Sequence, residues 1–477
     1  MADQHVITTT GTTLKETILK DSTIQDFKTH LQGALLCPGD DGYDDARKIW
    51  NAMIDKRPAL IVRCVGAADV VSCVNFAREH NLLVSVRGGG HHAAGFGVCD
   101  GGLMIDLSPM KGIRVDPGRK TVQAQGGATW GDFDRETAAF GLATPGGQVS
   151  TTGIAGLTLG GGVGWLSRQY GLSCDNLLSV DVVTADGKFL TASANENADL
   201  FWGVRGGGGN FGIITSFAYC LHPVAQVLGG PMIYPLDQAK DVLHFLRGYL
   251  PTVPDELTVL LVFMTAPVDP MFPANLQGQV ILAPTVCFTG DLAEGERVLR
   301  PLRGFGTPAA DFIAPLPYAT LQSMFDAQVP PGFHVYVKST YLFDLSEGAI
   351  EAIVECAASM TSPLTHLHLM QLGGATSRIG EEDTAFSSRA VGYECYLEPI
   401  WANPAEANRH IAWVRDSWSS LQGVSSGAGY LNRSSEEGQA ELRGAYGIKK
   451  YERLVALKNT YDPTNFFRLN HNIKPTV

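Results

Sequence analysis

Apolar and polar positions change rhythm several times along the chain. Between residues 60 and 98, the short apolar runs Leu60-Ile61-Val62-Arg63 and Leu82-Leu83-Val84-Ser85-Val86 flank a stretch from Val70 to His80. There Val71, Val74, Phe76 and Ala77 recur at helical spacing, so the segment reads strand, helix, strand. From 99 to 223 the pattern predicts strands at 103–106, 121–124, 180–183 and 213–217, with a helix from Trp130 to Phe140, and Pro223 marks a stop. From 224 to about 430, long apolar strands at 259–263 and 280–282 alternate with helices at 236–250, 293–302 and 347–360. That is the signature of an antiparallel sheet with helices on one face. Residues 1–32 read as a tail and a short helix opening at Ile24-Gln25-Asp26-Phe27. The last segment, 449–477, reads as a helix broken at Asp462-Pro463 and followed by an extended tail. The class is α+β.

A chain of 477 residues exceeds one typical core, so two domains are expected, and length leaves room for one of them to be split in sequence. With 45% hydrophobic and 18% charged residues the balance is globular. A formal net charge of -12 offers no footprint for nucleic acid or an anionic membrane, so neither is expected as a partner. The 9 cysteines are scattered, odd in number and without CxxC spacing, which predicts free thiols. The start, Met1-Ala2-Asp3-Gln4-His5, lacks the basic and apolar regions of a secretory leader, and no apolar run reaches spanning length. A cytoplasmic location is the expectation.

Three glycine clusters carry the candidate chemistry. Arg87-Gly88-Gly89-Gly90-His91 follows a buried-strand pattern, placing side-chain-free backbone, suited to a phosphate, beside a nucleophilic nitrogen. Gly160-Gly161-Gly162-Val163-Gly164 precedes Asp175-Asn176 and the strand at 180–183. The third cluster, Arg205 to Gly212, contains Gly207-x-Gly209-x-x-Gly212, which satisfies the dinucleotide pattern literally. It runs into β-branched Ile213-Ile214-Thr215 and not into a helix, which argues against a Rossmann site.

These clusters, with Arg57-Pro58 before Ile61-Val62-Arg63 and Asp462-Pro463 before Asn465-Phe466-Phe467, resemble the flavin-linked oxidases of the vanillyl-alcohol oxidase superfamily, and more narrowly the berberine-bridge-enzyme-like branch. The resemblance covers roughly 40–223 and 425–473. It implies a two-lobed PCMH-type FAD-binding domain at 33–223, divided near 98, a substrate-binding domain at 224–430, and a segment at 431–477 returning to the FAD domain. It also implies a covalent bond from His91 to the 8α-methyl carbon of FAD, with His92 the adjacent decoy. The cysteine that gives many relatives a second bond is replaced by Val149, so a single link is expected. Cys174 is read as a buried thiol.

By the same resemblance the cofactor is held by Arg87, Gly88, Gly89, Gly90, His91, His92 and Gly95, by Thr152, Gly153 and Gly156, and by Gly161, Gly162, Gly164, Asp175 and Asn176. Gly212 and Ile213 add to these, as do Tyr430 and Asn432, and Asn470 and Asn472 in the tail. Thr152 falls where relatives gate oxygen. In Tyr393-Glu394-Cys395-Tyr396-Leu397-Glu398, strand alternation puts Glu394, Tyr396 and Glu398 on one face, and Glu394 matches the carboxylate that serves as base in some relatives. Arg433, in Tyr430-Leu431-Asn432-Arg433, stands where several members carry a catalytic tyrosine. It stays protonated and would hold an anionic or carbonyl oxygen of the substrate. The catalytic set is therefore Glu394, Tyr396 and Arg433. His366 and His368 share a strand face, but with no third ligand placed nearby they read as pocket-lining and no metal is expected. The function implied is an FAD-linked oxidase that removes hydride from a C–H bond of an alcohol, phenol or amine-type small molecule onto flavin N5, with O2 as acceptor. The alternative is a dehydrogenase of the same fold using another acceptor.

Overall fold

The computed structural model describes residues 4–9, 15–270, 272–435 and 438–477. Two small sheets and one large one organise it. The first has the order Ala34–Leu36, Leu60–Arg63, Leu103–Asp106, Val84–Arg87, with the last three strands parallel. Parallel neighbours need a crossover, and the helix Ala67–Glu79 supplies it, burying Val70, Val74 and Ala77 against the sheet. The second sheet is antiparallel, with the order Phe189–Ser193, Leu177–Val183, Ile213–Cys220, Thr121–Gln125, Ile113–Asp116. The helix Trp130–Ala138 packs on it behind a reciprocal cap, in which Thr129 and Asp132 satisfy each other's backbone N–H groups.

The large sheet begins at Gln226–Pro235 and has eight antiparallel strands, with Val280–Phe288, Leu257–Thr265, His366–Gln371, Tyr393–Glu398 and Lys338–Leu342 in successive register. Tyr393, Cys395 and Leu397 point to one face and join a core with the helices Ala239–Tyr249, Leu292–Arg303, Glu347–Ala358 and Ala407–Leu421. Glu394, Tyr396 and Glu398 occupy the other face, so the expected alternation holds. Strand Leu257–Thr265 is apolar from Val259 to Met264 because both faces are covered: Val259 and Leu261 meet the helices, whereas Leu260 and Val262 meet Val163, Trp165 and Leu166. The α+β architecture, with a helix-covered antiparallel sheet, agrees with the sequence reading.

One element differs. The expected N-terminal tail contains an antiparallel pair, Gln4–Thr9 with Lys15–Lys20, ahead of the helix Asp21–Thr29. Each strand is short and holds only one adjacent apolar pair, Val6-Ile7 or Ile18-Leu19, between polar residues, so no period of two separates it from coil. At the other end, helix Ile448–Tyr461 stops where Asp462 turns back on itself. The Asp462 carboxylate accepts from the backbone N–H groups of Phe466 and Phe467 at 2.7 and 2.9 Å and pairs with the wholly buried Lys458 at 2.7 Å. Among the described residues no helix is long and apolar enough to cross a membrane.

Candidate active site

A deep cavity lies between the two smaller sheets and the inner face of the large one. Its floor is backbone. A Cβ at Gly89 would lie 2.3 Å from the Gly153 nitrogen, and one at Gly153 would lie 2.4 Å from the Gly89 nitrogen, so the two loops touch main chain to main chain. The 148–154 loop is fixed from behind: Trp130 N–H donates to Thr152 O at 2.9 Å, Gly131 N–H to Ser150 O at 2.7 Å, and Ile154 N–H to Ala128 O at 3.0 Å. Gly90 takes φ +68°, which swings His91 out of the strand direction and over this floor.

His91 is recessed in the cavity but reachable from it. Its Nε2 shares a 2.9 Å hydrogen bond with the Thr151 hydroxyl, its Nδ1 stands 3.5 Å from Thr152 Oγ1, and its ring stacks on Trp50 at 4.8 Å and 12°. Burial pulls its pKa down to about 4, so the imidazole is neutral. His92 points the other way, sharing a 3.2 Å hydrogen bond with His471, whose Nε2 in turn engages Leu431 O at 2.8 Å. Burial, and then the second histidine, hold His92 near 3.

The floor continues through Gly156 and Gly208-Gly209 to Gly212 and Ile213. A Cβ at Gly156 or Gly209 would meet no atom within 4 Å, so open space lies where a side chain would stand. Tyr430 and Asn432 brace this run: the Tyr430 hydroxyl accepts from Gly162 N–H at 2.8 Å, and Asn432 Nδ2 donates to Leu157 O at 3.0 Å. Asn470 Nδ2 donates to Gly209 O at 3.0 Å. A groove of exposed main chain ending at a neutral histidine fits FAD: the glycine backbone would hold its phosphates, and His91 is the residue that would meet its ring.

The opposite wall comes from three cross-strand rungs of the large sheet, pairing Glu394 with Met370, Tyr396 with His368, and Glu398 with His366. Arg433 caps the middle rung. Its guanidinium lies 3.7 Å over the Tyr396 ring, Nη2 donates to Gln148 Oε1 at 2.7 Å, and Nε is 3.0 Å from Glu394 Oε1. That last contact is coulombic, since neither Glu394 oxygen lies where it accepts a hydrogen bond from a described residue. Burial raises both Glu394 and Glu398 to about 7, with Arg433 opposing the shift. The Tyr396 ring stacks on His368 at 4.3 Å and 10°. Val149, Phe325 and Val329 make the wall apolar on its remaining side.

Most residues expected to hold a cofactor line this cavity: Arg87 to His92, Thr152, Gly153, Gly156, Gly212, Ile213, Tyr430, Asn432 and Asn470. Arg87 contributes its stem, because its guanidinium is clamped on Asp106 at 2.9 and 2.6 Å and on the carbonyls of Ala46 and Lys48, tying the ends of two parallel strands. Other expected residues stand off the cavity. Asp175 and Arg389 form a buried ion pair at 2.7 Å, and Asn176 bonds Tyr170 O, Leu172 O and His222. A Cβ at Gly161, Gly162 or Gly164 would strike Phe386, Ser173 or the Gly146 carbonyl, and one at Gly95 would strike Ile54, so these glycines serve packing. Asn472 lines a neighbouring hollow. Glu394 is 0% exposed and lies behind Arg433, so it reaches the cavity only through that side chain, whereas Glu398 faces it directly. Alternation gives the face of a strand but not how far along the strand the cavity extends.

Sequence reasoning passed over Trp50, Gln148, Gly208, Gly209, Phe325 and His471, all of which line the cavity. The third glycine cluster was the available signal for two of them. Cys174 is wholly buried and its thiol is pushed well up by burial, as expected of an inert cysteine.

Comparison with known proteins gives a consistent picture. Residues 58–193 match the family model described as FAD binding domain, and residues 430–474 match the one described as berberine and berberine like. An FAD-linked oxidoreductase of Dictyostelium discoideum is 34% identical over 458 residues, covering 95% of this chain and 97% of that protein. (R)-6-hydroxynicotine oxidase of Paenarthrobacter nicotinovorans is 32% identical over 462 residues, covering 93% and 97%. The crystal structure of 6-hydroxy-D-nicotine oxidase from Arthrobacter nicotinovorans superposes with a TM-score of 0.83 at 30% identity, covering 93% of this chain and 98% of that one.

Proposed function

This chain belongs to the berberine-bridge-like family of FAD-linked oxidoreductases, and on that premise we propose that it is an oxidase carrying FAD through one covalent bond to His91 and passing electrons from a small alcohol, phenol or amine-type molecule to O2. The observation that carries the reading is the setting of His91. Its ring is neutral, Thr151 occupies Nε2, and Nδ1 is left as the less engaged nucleophilic nitrogen at the end of the glycine floor. Val149 stands at the cavity where a second link would need a thiol, which supports a single bond. When bound, FAD supplies the two-electron acceptor for hydride.

The chain's own residues then do three things. The glycine floor and Asn470 hold the cofactor's polar length, for which 33–223 with 431–477 serves as the cofactor domain and 224–430 as the substrate domain. Arg433 and the Tyr396 hydroxyl orient the substrate's heteroatom, and Glu394 is the buried counter-ion that fixes Arg433. A proton released from an alcohol or phenol goes to Glu398, the carboxylate facing the chamber, whose raised affinity suits uptake near neutral pH.

Mixing the purified protein anaerobically with 6-hydroxynicotine, benzylic alcohols and cellobiose tests this reading. At least one donor is expected to bleach the flavin, and air is expected to restore it with one hydrogen peroxide formed per flavin. A protein that no donor bleaches is not this oxidase. Recolouring only with an artificial acceptor would favour the dehydrogenase reading, for which the Thr152 hydroxyl beside His91 is the supporting feature.

A further inference from the structure

Two imidazoles and a carboxylate meet on the polar wall without belonging to any hydrogen-bond network. His366 and His368 are two residues apart on one strand, so both project from the same face, and Glu398 is the cross-strand partner of His366. One ligand atom from each of the three lies within 4.8 Å of the others. The two histidines are only 4% and 5% exposed, yet His366 Nδ1 and both ring nitrogens of His368 have no hydrogen-bond partner among the described residues. Unpaired buried polar atoms are costly, and three in adjacent side chains point to a ligand that completes them. Glu398 faces the chamber, and the groups acting on its carboxyl are charges only, Arg433 and Glu394.

We propose that His366, His368 and Glu398 form a binding site for a divalent transition-metal ion of the zinc class, open on its chamber side. Two neutral imidazoles and one carboxylate are the donor set that borderline ions such as Zn2+ prefer. Bonds of about 2.1 Å in tetrahedral geometry put two ligands about 3.4 Å apart, so the observed spread has to close by little more than 1 Å. The Glu398 side chain, held by no hydrogen bond among the described residues, supplies that rotation. The charges nearby permit a cation: two carboxylates, Glu394 and Glu398, face the single positive charge of Arg433, which stands 3.0 Å from Glu394. Three protein ligands leave a fourth position facing the cavity, for water or for an oxygen or nitrogen of a bound molecule. The site shares Glu398 with the proposed reaction, but its three donors are argued from their own geometry and do not require the oxidase reading. An ion on Glu398 would, however, remove the lone pair offered to a substrate proton, so the loaded protein should turn over more slowly.

The experiment is a zinc titration of the flavin-containing protein, freed of metal with EDTA, against a chromophoric zinc indicator. Wild-type is expected to bind one equivalent tightly, and His368→Gln and Glu398→Gln are each expected to weaken that equivalent at least tenfold with unchanged flavin content. The partly exposed Cys37 is replaced by Ser in every protein compared, to remove an accessible thiol that could take up zinc. Equal zinc affinity in wild-type and both variants, or no tight equivalent in wild-type, overturns the proposal. Should the variants fail to fold, the unmutated protein decides: zinc must protect His366 from acylation by diethyl pyrocarbonate, read by peptide mass, and undiminished acylation overturns the site.

Discussion

The floor and the wall of the cavity are built by opposite means. At the floor, Gly89 and Gly153 meet through main-chain atoms, with a Cβ on either one falling 2.3–2.4 Å from the other's nitrogen. On the wall, the side chains of Tyr396, Glu398, His366 and His368 hang from a regular antiparallel ladder whose main-chain hydrogen bonds do not depend on them. Main-chain contact admits almost no change, whereas a strand keeps its course when a side chain facing a cavity is exchanged. On the proposed reading, one half of the site commits the chain to a cofactor, and the other half would set substrate choice.

The sharpest way to break the contrast is Gly89→Ala. The added methyl must displace the backbone of Gly153, and the protein is expected to lose essentially all flavin, seen as absent visible absorbance in whatever soluble fraction remains. A variant that retained full flavin would show that the floor is not rigid. Next in size is Arg433→Ala, which should leave flavin content unchanged while lowering kcat/KM about 100-fold, the scale of a lost charged contact at a reacting group. It also strands Glu394 in the interior, at a cost of about 3 kcal/mol in unfolding free energy. The double variant Arg433→Ala with Glu394→Gln should recover most of that stability and none of the activity.

The third test uses pH. The Glu394 carboxyl titrates near 7 in the folded protein, above its ordinary value of 4.5, so the folded state keeps a proton that the unfolded chain releases. Its contribution to stability is therefore full below about pH 4.5 and declines as pH rises to 7. Relative to Glu394→Gln, wild-type should lose thermal stability across that window, and a constant difference in Tm would refute the assignment. The smallest effect belongs to Thr151→Val, which removes the 2.9 Å bond to His91 Nε2. At about 1 kcal/mol per hydrogen bond, attachment of flavin should slow about fivefold, measured as incomplete flavinylation after brief incubation with FAD.

The same division governs what could be read from sequence. The floor was legible because glycine runs have few uses, and Gly88 to His91, Thr152, Gly153 and Gly212 all line the cavity. What failed there were glycines and polar residues one turn further on: Gly162 and Asp175 sit in equally suggestive motifs but spend their conformation and charge on Ser173 and Arg389. The wall was legible only as a face. Period-two alternation put Glu394, Tyr396 and Glu398 together, but pairing across strands brings Glu398 to His366, and no local pattern encodes that register between residues 32 positions apart. For the same reason the two histidines showed no third ligand, and nothing in the local pattern signalled that Glu394, expected as a base, stands 3.0 Å from an arginine of a different segment.

The central claim is that the glycine floor presents FAD to His91 for a single bond. Peptide mass spectrometry on acid-denatured protein, following the peptide that contains His91 and the one that contains Cys174, tests it directly. The account predicts the mass of FAD on the His91 peptide and an unmodified Cys174 peptide. An unmodified His91 peptide from protein that carries flavin would contradict it.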